Sequence, residues 1–327
     1  MKVNEQKIIV CCSHSVTGGP ELLHQLVHEL REIGRDAHIT YYPFEETFDC
    51  PEPYKKYNAP QGPLIDNADT FVLIPESATW LLKHLKNAKI GVWWLSVDNY
   101  CKQHKSPLKS AYYRYRSLLT GRVPLFKMRG LLHFTQSHYA KIYLTKAKIT
   151  SAPLTDYLSI EHLQQPFSWT IKTKEDIIAF NPKKGMRQTR SLMNAYPKTK
   201  FVPIENMTQI QVSELLGRAK IYVDFGHHPG KDRIPREAAM AGCCIITGQR
   251  GAARYHEDVP IPNKYKLDDS REEYVNEFGE LVDQVFSNFN SHAKDFDEYR
   301  THILEEPMHF KNQVIDIFGN HKPNPIR

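Results

Sequence analysis

Apolar runs alternate with amphipathic stretches along the first half of the chain. Runs rich in β-branched and aromatic residues predict buried strands at 7–13, 37–42, 68–75, 89–96 and 131–135. Leucine and isoleucine recur at helical spacing over 20–33, and further helices are expected at about 77–87 and 137–146. This alternation is typical of an α/β fold in which helices cover both faces of a parallel sheet.

The same pattern restarts after a polar stretch at 161–174. Strands are predicted at 175–181, 200–203, 220–224 and 243–247, with helices at 186–195, 209–216 and 235–241. The segment from 271 to 320 is mostly helical in pattern, and Pro307 is expected to break it. The chain is therefore predicted to contain two α/β halves followed by a helical tail.

The composition is that of a globular chain. Its 327 residues suffice for two domains, and 41% hydrophobic with 24% charged residues exclude a mainly disordered, collagenous or coiled-coil protein. No apolar run approaches the ~20 residues of a membrane span, and residues 1–7 do not resemble a signal peptide. The six cysteines include no C-x-x-C pair and no zinc spacing, so buried free thiols and a cytoplasmic protein are expected.

Positive charge is concentrated in one window of the sequence. The net charge is +6, but residues 99–155 contain 11 Lys or Arg and no Asp or Glu, so the rest of the chain is net negative. Tyrosine, leucine and phenylalanine are interleaved with these cations, which is typical of an element that contacts an anionic membrane. A nucleic-acid-binding surface or an ordinary solvated basic face would have the same composition.

Two loops in the second half combine basic residues with turn-forming residues. The first, 181–185, follows a predicted strand and opens a predicted helix. Its Asn181, Lys183 and Lys184 stand where the helix dipole and free N–H groups favour a phosphate. A basic surface turn is the alternative interpretation.

The second loop, 224–237, also leads from a strand into a helix, and glycine and proline restrict its path. Glu237, in the first helical turn, can accept hydrogen bonds from ribose hydroxyls, while a nearby Lys or Arg would face a diphosphate. A structural ion-pair network is the alternative. A metal site is disfavoured, because the two histidines are adjacent and no third ligand is spaced for an ion. The residues singled out are Gly226, His227, His228, Lys231, Asp232, Arg233, Arg236 and Glu237.

These motifs together resemble those of GT-B glycosyltransferases. A Gly-Gly turn follows the first strand, a Lys-Gly follows the first strand of the second half, and Arg-Glu-Ala-Ala-Met-Ala-Gly stands at 236–242. The last stretch is similar to the donor-binding domain of glycosyltransferase group 1 (family 4-like), in which two glutamates lie eight residues apart. Pro229 stands in place of the first glutamate and Ala179 in place of the usual arginine, so retention or inversion at the anomeric carbon stays open.

The resemblance implies two Rossmann-like domains facing across a cleft, at 1–165 and 166–300, with a helix at 301–327 that returns to the first domain. It also implies a nucleotide-diphospho-sugar donor in the second domain. The implied contacts are Glu237 with the ribose, Lys183 and Lys184 with the diphosphate, the loop 226–233 with sugar and phosphate, and Gly251 and Ala252 with the nucleotide.

Acidic residues at strand ends of the first half are the candidates for catalysis. Asp98 follows the predicted strand 89–96, where the family often has a histidine, and could act as general base toward an acceptor hydroxyl. Glu76, after the strand 68–75, is a second candidate, and a helix cap is the alternative for both. His14 is weaker, and His133 is expected in the core. The residues expected at the cleft are Gly18, Gly19, Glu21, Ser96 and Asn99.

The sequence therefore predicts a glycosyltransferase that uses a nucleotide-sugar donor and a glycan or lipid-linked acceptor, with no metal, no cofactor and no nucleic acid. The basic window and the resemblance indicate bacterial surface polysaccharide assembly (O-antigen, capsule or lipooligosaccharide) at the inner face of the cytoplasmic membrane. A sugar-nucleotide epimerase of similar fold and a protein that binds polyanions or nucleic acid are the alternatives. A dinucleotide oxidoreductase is disfavoured, because no G-x-G-x-x-G follows either first strand.

Overall fold

The chain folds into two compact units in a computed structural model that describes residues 6–101, 122–159, 163 and 173–319. Unit 1 comprises Met1–Asp156 together with Met308–Arg327, and unit 2 comprises Tyr157–Pro307. Unit 1 is therefore assembled from both ends of the chain. The domain boundaries predicted from the sequence were at residues 165 and 300.

Unit 1 contains a six-stranded parallel sheet with the spatial order β2-β1-β3-β4-β5-β6. The inner strands are buried because helices cover the sheet. Its strands are β1 (Lys7–Ser13), β2 (Ala37–Tyr42), β3 (Thr70–Pro75), β4 (Lys89–Trp94), β5 (Leu132–Thr135) and β6 (Ala152–Pro153). Its helices are α1 (Gly18–Glu32), α2 (Val97–Cys101), α3 (Leu125–Met128) and α4 (His138–Lys146), with 3₁₀ helices at Glu52–Tyr57 and Glu76–His84.

Unit 2 contains a four-stranded parallel sheet with the order β10-β9-β7-β8. Its strands are β7 (Glu175–Phe180), β8 (Lys200–Pro203), β9 (Ala219–Asp224) and β10 (Cys244–Thr247). Its helices are α5 (Met186–Ala195), α6 (Gln209–Arg218), α7 (Arg233–Met240), α8 (Tyr274–Ser287) and α9 (Phe289–Lys294), with 3₁₀ helices at Ala252–Arg254 and Asn263–Tyr265. The predicted strands of both halves are confirmed to within a few residues.

A buried lysine fixes the entry to β7. The ammonium of Lys174 donates to the carbonyls of Leu216 (3.0 Å), Ala219 (2.8 Å) and Ala241 (2.7 Å). Burial lowers the pKa of Lys174, and the three carbonyl oxygens replace the water that the ammonium loses. The lysine thus joins the segment before β7 to the end of α6, the start of β9 and the end of α7.

The last helix, α10 (Asp297–Phe318), begins in unit 2 and ends in unit 1. The predicted break at Pro307 is wrong, because the helix continues through the proline. Proline removes one backbone donor from a helix, and tertiary packing outweighs that loss here. Within unit 1, Phe310 stacks on Trp93 with ring centroids 6.4 Å apart, and Phe318 lies edge-on to Phe71 at 5.9 Å.

The expectation of free thiols is confirmed, since all six cysteines are unpaired. Both adjacent pairs are buried, whereas Cys50 and Cys101 are partly exposed. Burial raises the pKa of the Cys11 thiol to about 12. In the described part of the chain, no helix is both long enough and apolar enough to span a membrane.

Candidate functional site

Two loops at the carboxyl edge of the unit 2 sheet are in backbone contact. One, 181–185, follows β7, and the other, 225–232, follows β9. Gly185 has φ +60°, and a Cβ atom on it would lie 2.4 Å from the carbonyl carbon of Phe225. A Cβ atom on Gly226 would lie 2.4 Å from the Cβ of Lys184. Only glycines allow this approach, so their positions bring the two predicted loops together.

A third loop, after β10, is joined to the second in the same way. Gly251 has φ +62°, and a Cβ atom there would lie 2.1 Å from the carbonyl oxygen of His228. The amide of His228 donates to the Arg250 carbonyl (3.3 Å), and the amide of Ala252 donates to the His228 carbonyl (2.8 Å). The structure therefore brings Gly251 and Ala252 to the loop of charged residues.

Charged side chains of the first two loops form a cluster with Asp224 at the end of β9. His228 is fully buried, with Nε2 3.5 Å from Asp224 Oδ1 and Nδ1 3.7 Å from Asp232 Oδ2. The ammonium of Lys184 lies 2.5 Å from Asp232 Oδ2. Burial disfavours the imidazolium, but the charges of Asp232 and Asp224 outweigh it and raise the pKa of His228. Burial likewise opposes ionisation of Asp224, yet His228 and Lys184 lower its pKa overall.

The cluster changes one part of the sequence interpretation. Ligand atoms of Asp224, His228 and Asp232 lie within 4.8 Å of one another, so three residues could hold a metal ion. From the sequence, no third ligand was expected near the histidines of this loop. That expectation is wrong, because the path of the loop brings both Asp224 and Asp232 to His228. The exposed His227 is not part of the group. With each imidazole nitrogen facing a different carboxylate and Lys184 on Asp232, the geometry is that of an ion-pair network.

Helix α7 presents its charged residues in two directions. Arg233 is half exposed, and its Nε lies 2.9 Å from the buried carboxylate of Glu237. Arg236 is only 3% exposed and donates to the carbonyls of Asp232 (3.3 Å) and Lys231 (3.2 Å). Arg233 and the exposed Lys183 therefore face solvent, whereas Arg236 faces the interior of unit 2.

An acid that sequence reasoning does not find completes this arrangement. Glu306, in α10, lies 2.7 Å from Lys231 Nζ through one oxygen and 2.8 Å from Arg236 Nη1 through the other. Its side chain is 8% exposed. Because Glu306 is far along the chain in a segment predicted only as helical tail, no local pattern connects it to the loop. The sequence indicates such a residue only indirectly, because a loop with this many cations requires an anionic partner.

The candidates in unit 1 lie at the carboxyl edge of its sheet. β3 and β4 are neighbours, so Glu76 after β3 meets the residues after β4. Glu76 is 1% exposed, and its Oε2 accepts the amide of Leu95 (2.8 Å). Burial raises the pKa of Glu76 to about 7, although backbone hydrogen bonds oppose the rise. Asp98 is partly buried in the first turn of α2, and Ser96 Oγ accepts the amide of Asn99 (3.3 Å).

The Gly18–Gly19 pair lies at the same edge, because β1 pairs with β3. The prediction of a Gly-Gly turn is wrong, since both glycines belong to the first turn of α1, which begins two residues earlier than expected. A Cβ atom on Gly19 would contact the side chain of Leu95 at 3.7 Å. Glu21 is occupied locally, since it accepts the Tyr57 hydroxyl (2.9 Å). His133 is a core histidine as expected: it accepts the Trp94 indole N–H (3.0 Å), and its other nitrogen lies 2.9 Å from a backbone carbonyl.

The basic window 99–155 is only partly described. Residues 102–121, with five of its 11 cations, lie outside the described residues. In the described part, Arg122 donates to the carbonyl of Tyr100. Phe126, next to Lys127 in the sequence, is 65% exposed.

Known glycosyltransferases are similar to this chain in sequence and in fold, although no known family profile matches it. The alpha-1,6-glucosyltransferase of Actinobacillus pleuropneumoniae serotype 7 is 24% identical over 231 residues, which cover 63% of this chain and 68% of the relative. HepE of Anabaena, solved in complex with UDP, superposes with a TM-score of 0.60 at 9% identity, over 95% of this chain and 99% of that one. WaaG, a glycosyltransferase involved in lipopolysaccharide biosynthesis, superposes with a TM-score of 0.56 at 12% identity, over 94% and 99%. With its two parallel α/β sheets and these structural neighbours, the chain has the GT-B fold of glycosyltransferases.

Proposed function

We propose that this protein is a glycosyltransferase that transfers the sugar of a nucleotide-diphospho-sugar to a hydroxyl group of a glycan or glycolipid. Its fold and its similarity to a glucosyltransferase support the reaction class. The observation that carries the proposal is the convergence of three glycine-containing loops at the carboxyl edge of the unit 2 sheet. Ligands of open parallel sheets bind at this edge.

The donor diphosphate would lie against the loop after β7 and the start of α7. Lys183 is exposed, and Lys184 and Arg233 are partly exposed, so three cations are accessible to it. The first turns of α5 and α7 add free N–H groups and favourable dipoles. These groups would stabilise the charge that develops on the leaving diphosphate. Further lining groups would be Asn181, Gly226, His227, Gly251 and Ala252.

Glu237 would bind the ribose hydroxyls of the donor. Its side chain is 8% exposed and pairs with the half-exposed Arg233. When the Arg233 guanidinium turns toward the diphosphate, a carboxylate oxygen of Glu237 gains a place for a hydroxyl donor. The sugar nucleotide would thus be held at its ribose by an acid and at its phosphates by cations.

Asp98 would be the base that takes the proton of the acceptor hydroxyl as that oxygen attacks the anomeric carbon. Glu76 is less suited to this role, because it is almost fully buried and its Oε2 is bound by the Leu95 amide. It would instead hold the end of β4 in place for Ser96, Asp98 and Asn99.

The donor tested first should be UDP-glucose. HepE was solved with UDP, and the relative in sequence is a glucosyltransferase. WaaG acts in lipopolysaccharide biosynthesis, which supports an acceptor in a bacterial surface polysaccharide. The cations of the window 99–155, with the exposed Phe126, would hold the enzyme against an anionic membrane that carries a lipid-linked acceptor.

Thermal unfolding in the presence of UDP, GDP, CMP, dTDP or NAD tests the donor site. A ligand at ~100 times its Kd adds about 2.7 kcal/mol to the unfolding free energy, and we expect this from UDP. The shift should be lost in Glu237→Gln and kept in Glu272→Gln, a matched change at an exposed position of the same unit. No shift with any nucleotide would contradict the donor site. Rearranged sugar nucleotide formed without acceptor would indicate an epimerase instead.

A further inference from the structure

We infer that Glu306, in the last helix, is a positioning residue for the loop 225–232 after β9, called the donor loop below. There it holds Lys231 and Arg236 and thereby orients Arg233 and Glu237 at the start of α7. The inference rests on the proposed function. It extends that function to a residue outside the three loops, on a helix that the sequence pattern assigns only to a tail.

The contact is direct and is shielded from water. Each oxygen of the Glu306 carboxylate takes a different cation, Lys231 Nζ at 2.7 Å and Arg236 Nη1 at 2.8 Å. The side chains of Glu306, Lys231 and Arg236 are 8%, 13% and 3% exposed, respectively. Charges with so little access to solvent interact more strongly than surface pairs, and loss of one partner leaves the others uncompensated.

Arg236 transmits this contact to the loop backbone. Its guanidinium also donates to the carbonyls of Lys231 and Asp232, the last two residues before α7. Asp232 in turn pairs with Lys184 on the neighbouring loop. A continuous set of contacts therefore leads from Glu306 to Lys184, one of the cations proposed to meet the diphosphate.

Glu306 lies one residue before the end of unit 2, in the helix that continues into unit 1. Pro307 follows it, so the carbonyl of Ile303 lacks its usual helical donor, and the second segment of unit 1 begins at Met308. Within unit 1 the same helix is held by Phe310 on Trp93 and by Gln313, which accepts the Thr155 amide at 2.7 Å. The donor loop is thus fastened to the element through which unit 2 continues into unit 1.

The test compares Glu306→Gln with Glu305→Gln, a neighbour on the same helix that carries the same charge and is less buried. In the full chain we expect Glu306→Gln to raise the Kd for UDP and the KM for UDP-glucose on the order of tenfold, equivalent to 1.4 kcal/mol. The KM for the acceptor should not change, and Glu305→Gln should match the wild type. Hydrogen exchange of residues 226–237 should accelerate in Glu306→Gln, with or without UDP.

The outcomes separate the inference from the proposed function. If the wild type binds UDP and Glu306→Gln shows the same Kd for UDP and the same hydrogen exchange, the positioning role alone is overturned. Failure of the wild type to bind any nucleotide would overturn both proposals. Should Glu306→Gln not fold, Glu306→Asp keeps the charge and shortens its reach. It should show the same selective rise in donor KM, and wild-type values in that variant would refute the inference.

Discussion

Replacement of Gly251 by alanine should detach the loop after β10 from the loop that carries His228. The new Cβ would lie 2.1 Å from the His228 carbonyl oxygen and 2.9 Å from its carbonyl carbon. Both are backbone atoms, which cannot turn aside as a flexible side chain would. Gly251 also has φ +62° with ψ −134°, a combination that is essentially restricted to glycine.

The expected cost follows from two contributions. A non-glycine residue in such a backbone conformation costs about 1–3 kcal/mol. If the loop moves away instead, two hydrogen bonds are lost, from the His228 amide to Arg250 and from the Ala252 amide to His228. Each contributes about 0.5–1.5 kcal/mol net. A destabilisation of about 3 kcal/mol is therefore expected, or a Tm lower by about 6–12 °C for a unit of this size.

Thermal and urea unfolding followed by circular dichroism would measure this change, with Gly217→Ala as the control. Gly217 lies in α6, and a Cβ atom there would meet no atom within 4 Å. That substitution should stabilise the protein by about 0.5–1 kcal/mol, because alanine favours a helix over glycine. A Gly251→Ala protein that unfolds at the wild-type temperature and binds UDP with wild-type affinity would refute the account of how these loops are joined.

Three further predictions concern buried groups. The folded pKa of Glu76, about 7, exceeds its ordinary 4.5, so its contribution to stability is complete below pH 4.5 and is lost as the pH rises to 7. The difference between the two pKa values corresponds to about 3 kcal/mol of unfolding free energy. Urea unfolding measured from pH 4.5 to 8 should show this decline in the wild type and not in Glu76→Gln. Lys174→Met leaves three carbonyls without their shared donor and should lower the unfolding free energy by about 3 kcal/mol, with the Kd for UDP unchanged at low temperature. Titration of thiols with Ellman's reagent should modify no cysteines besides Cys50 and Cys101 in the native protein and all six in denaturant.

The strands and the two-sheet architecture could be predicted because each follows from a local pattern. Buried parallel strands read as continuous apolar runs, and the loops at their carboxyl ends concentrate glycine and charge. For the same reason the loop 224–237 could be recognised before its geometry was known. The two-residue strand β6 is too short to leave such a pattern.

The direction that each charged side chain takes could not be predicted. Lys231 and Arg233 are equivalent cations in the sequence, yet the first pairs with Glu306 inside unit 2 and the second is half exposed. What separates them is a contact between residues far apart in the chain. His228 meets Asp224 and Asp232 through the course of an irregular loop, where sequence spacing has no periodic meaning.

The discontinuity of unit 1 affects how the protein is made. The ring of Phe310, which stacks on Trp93, and the ring of Phe318, which covers Phe71, are translated only after all of unit 2. At synthesis rates of about 5–20 residues per second, the ribosome needs roughly 8–30 s to pass from the end of the first segment to the start of the second. During that interval a nascent chain exposes aromatic core surface. Unit 2 can complete its fold first although it is encoded second, and chaperones that shield apolar surface should assist the final closure of unit 1.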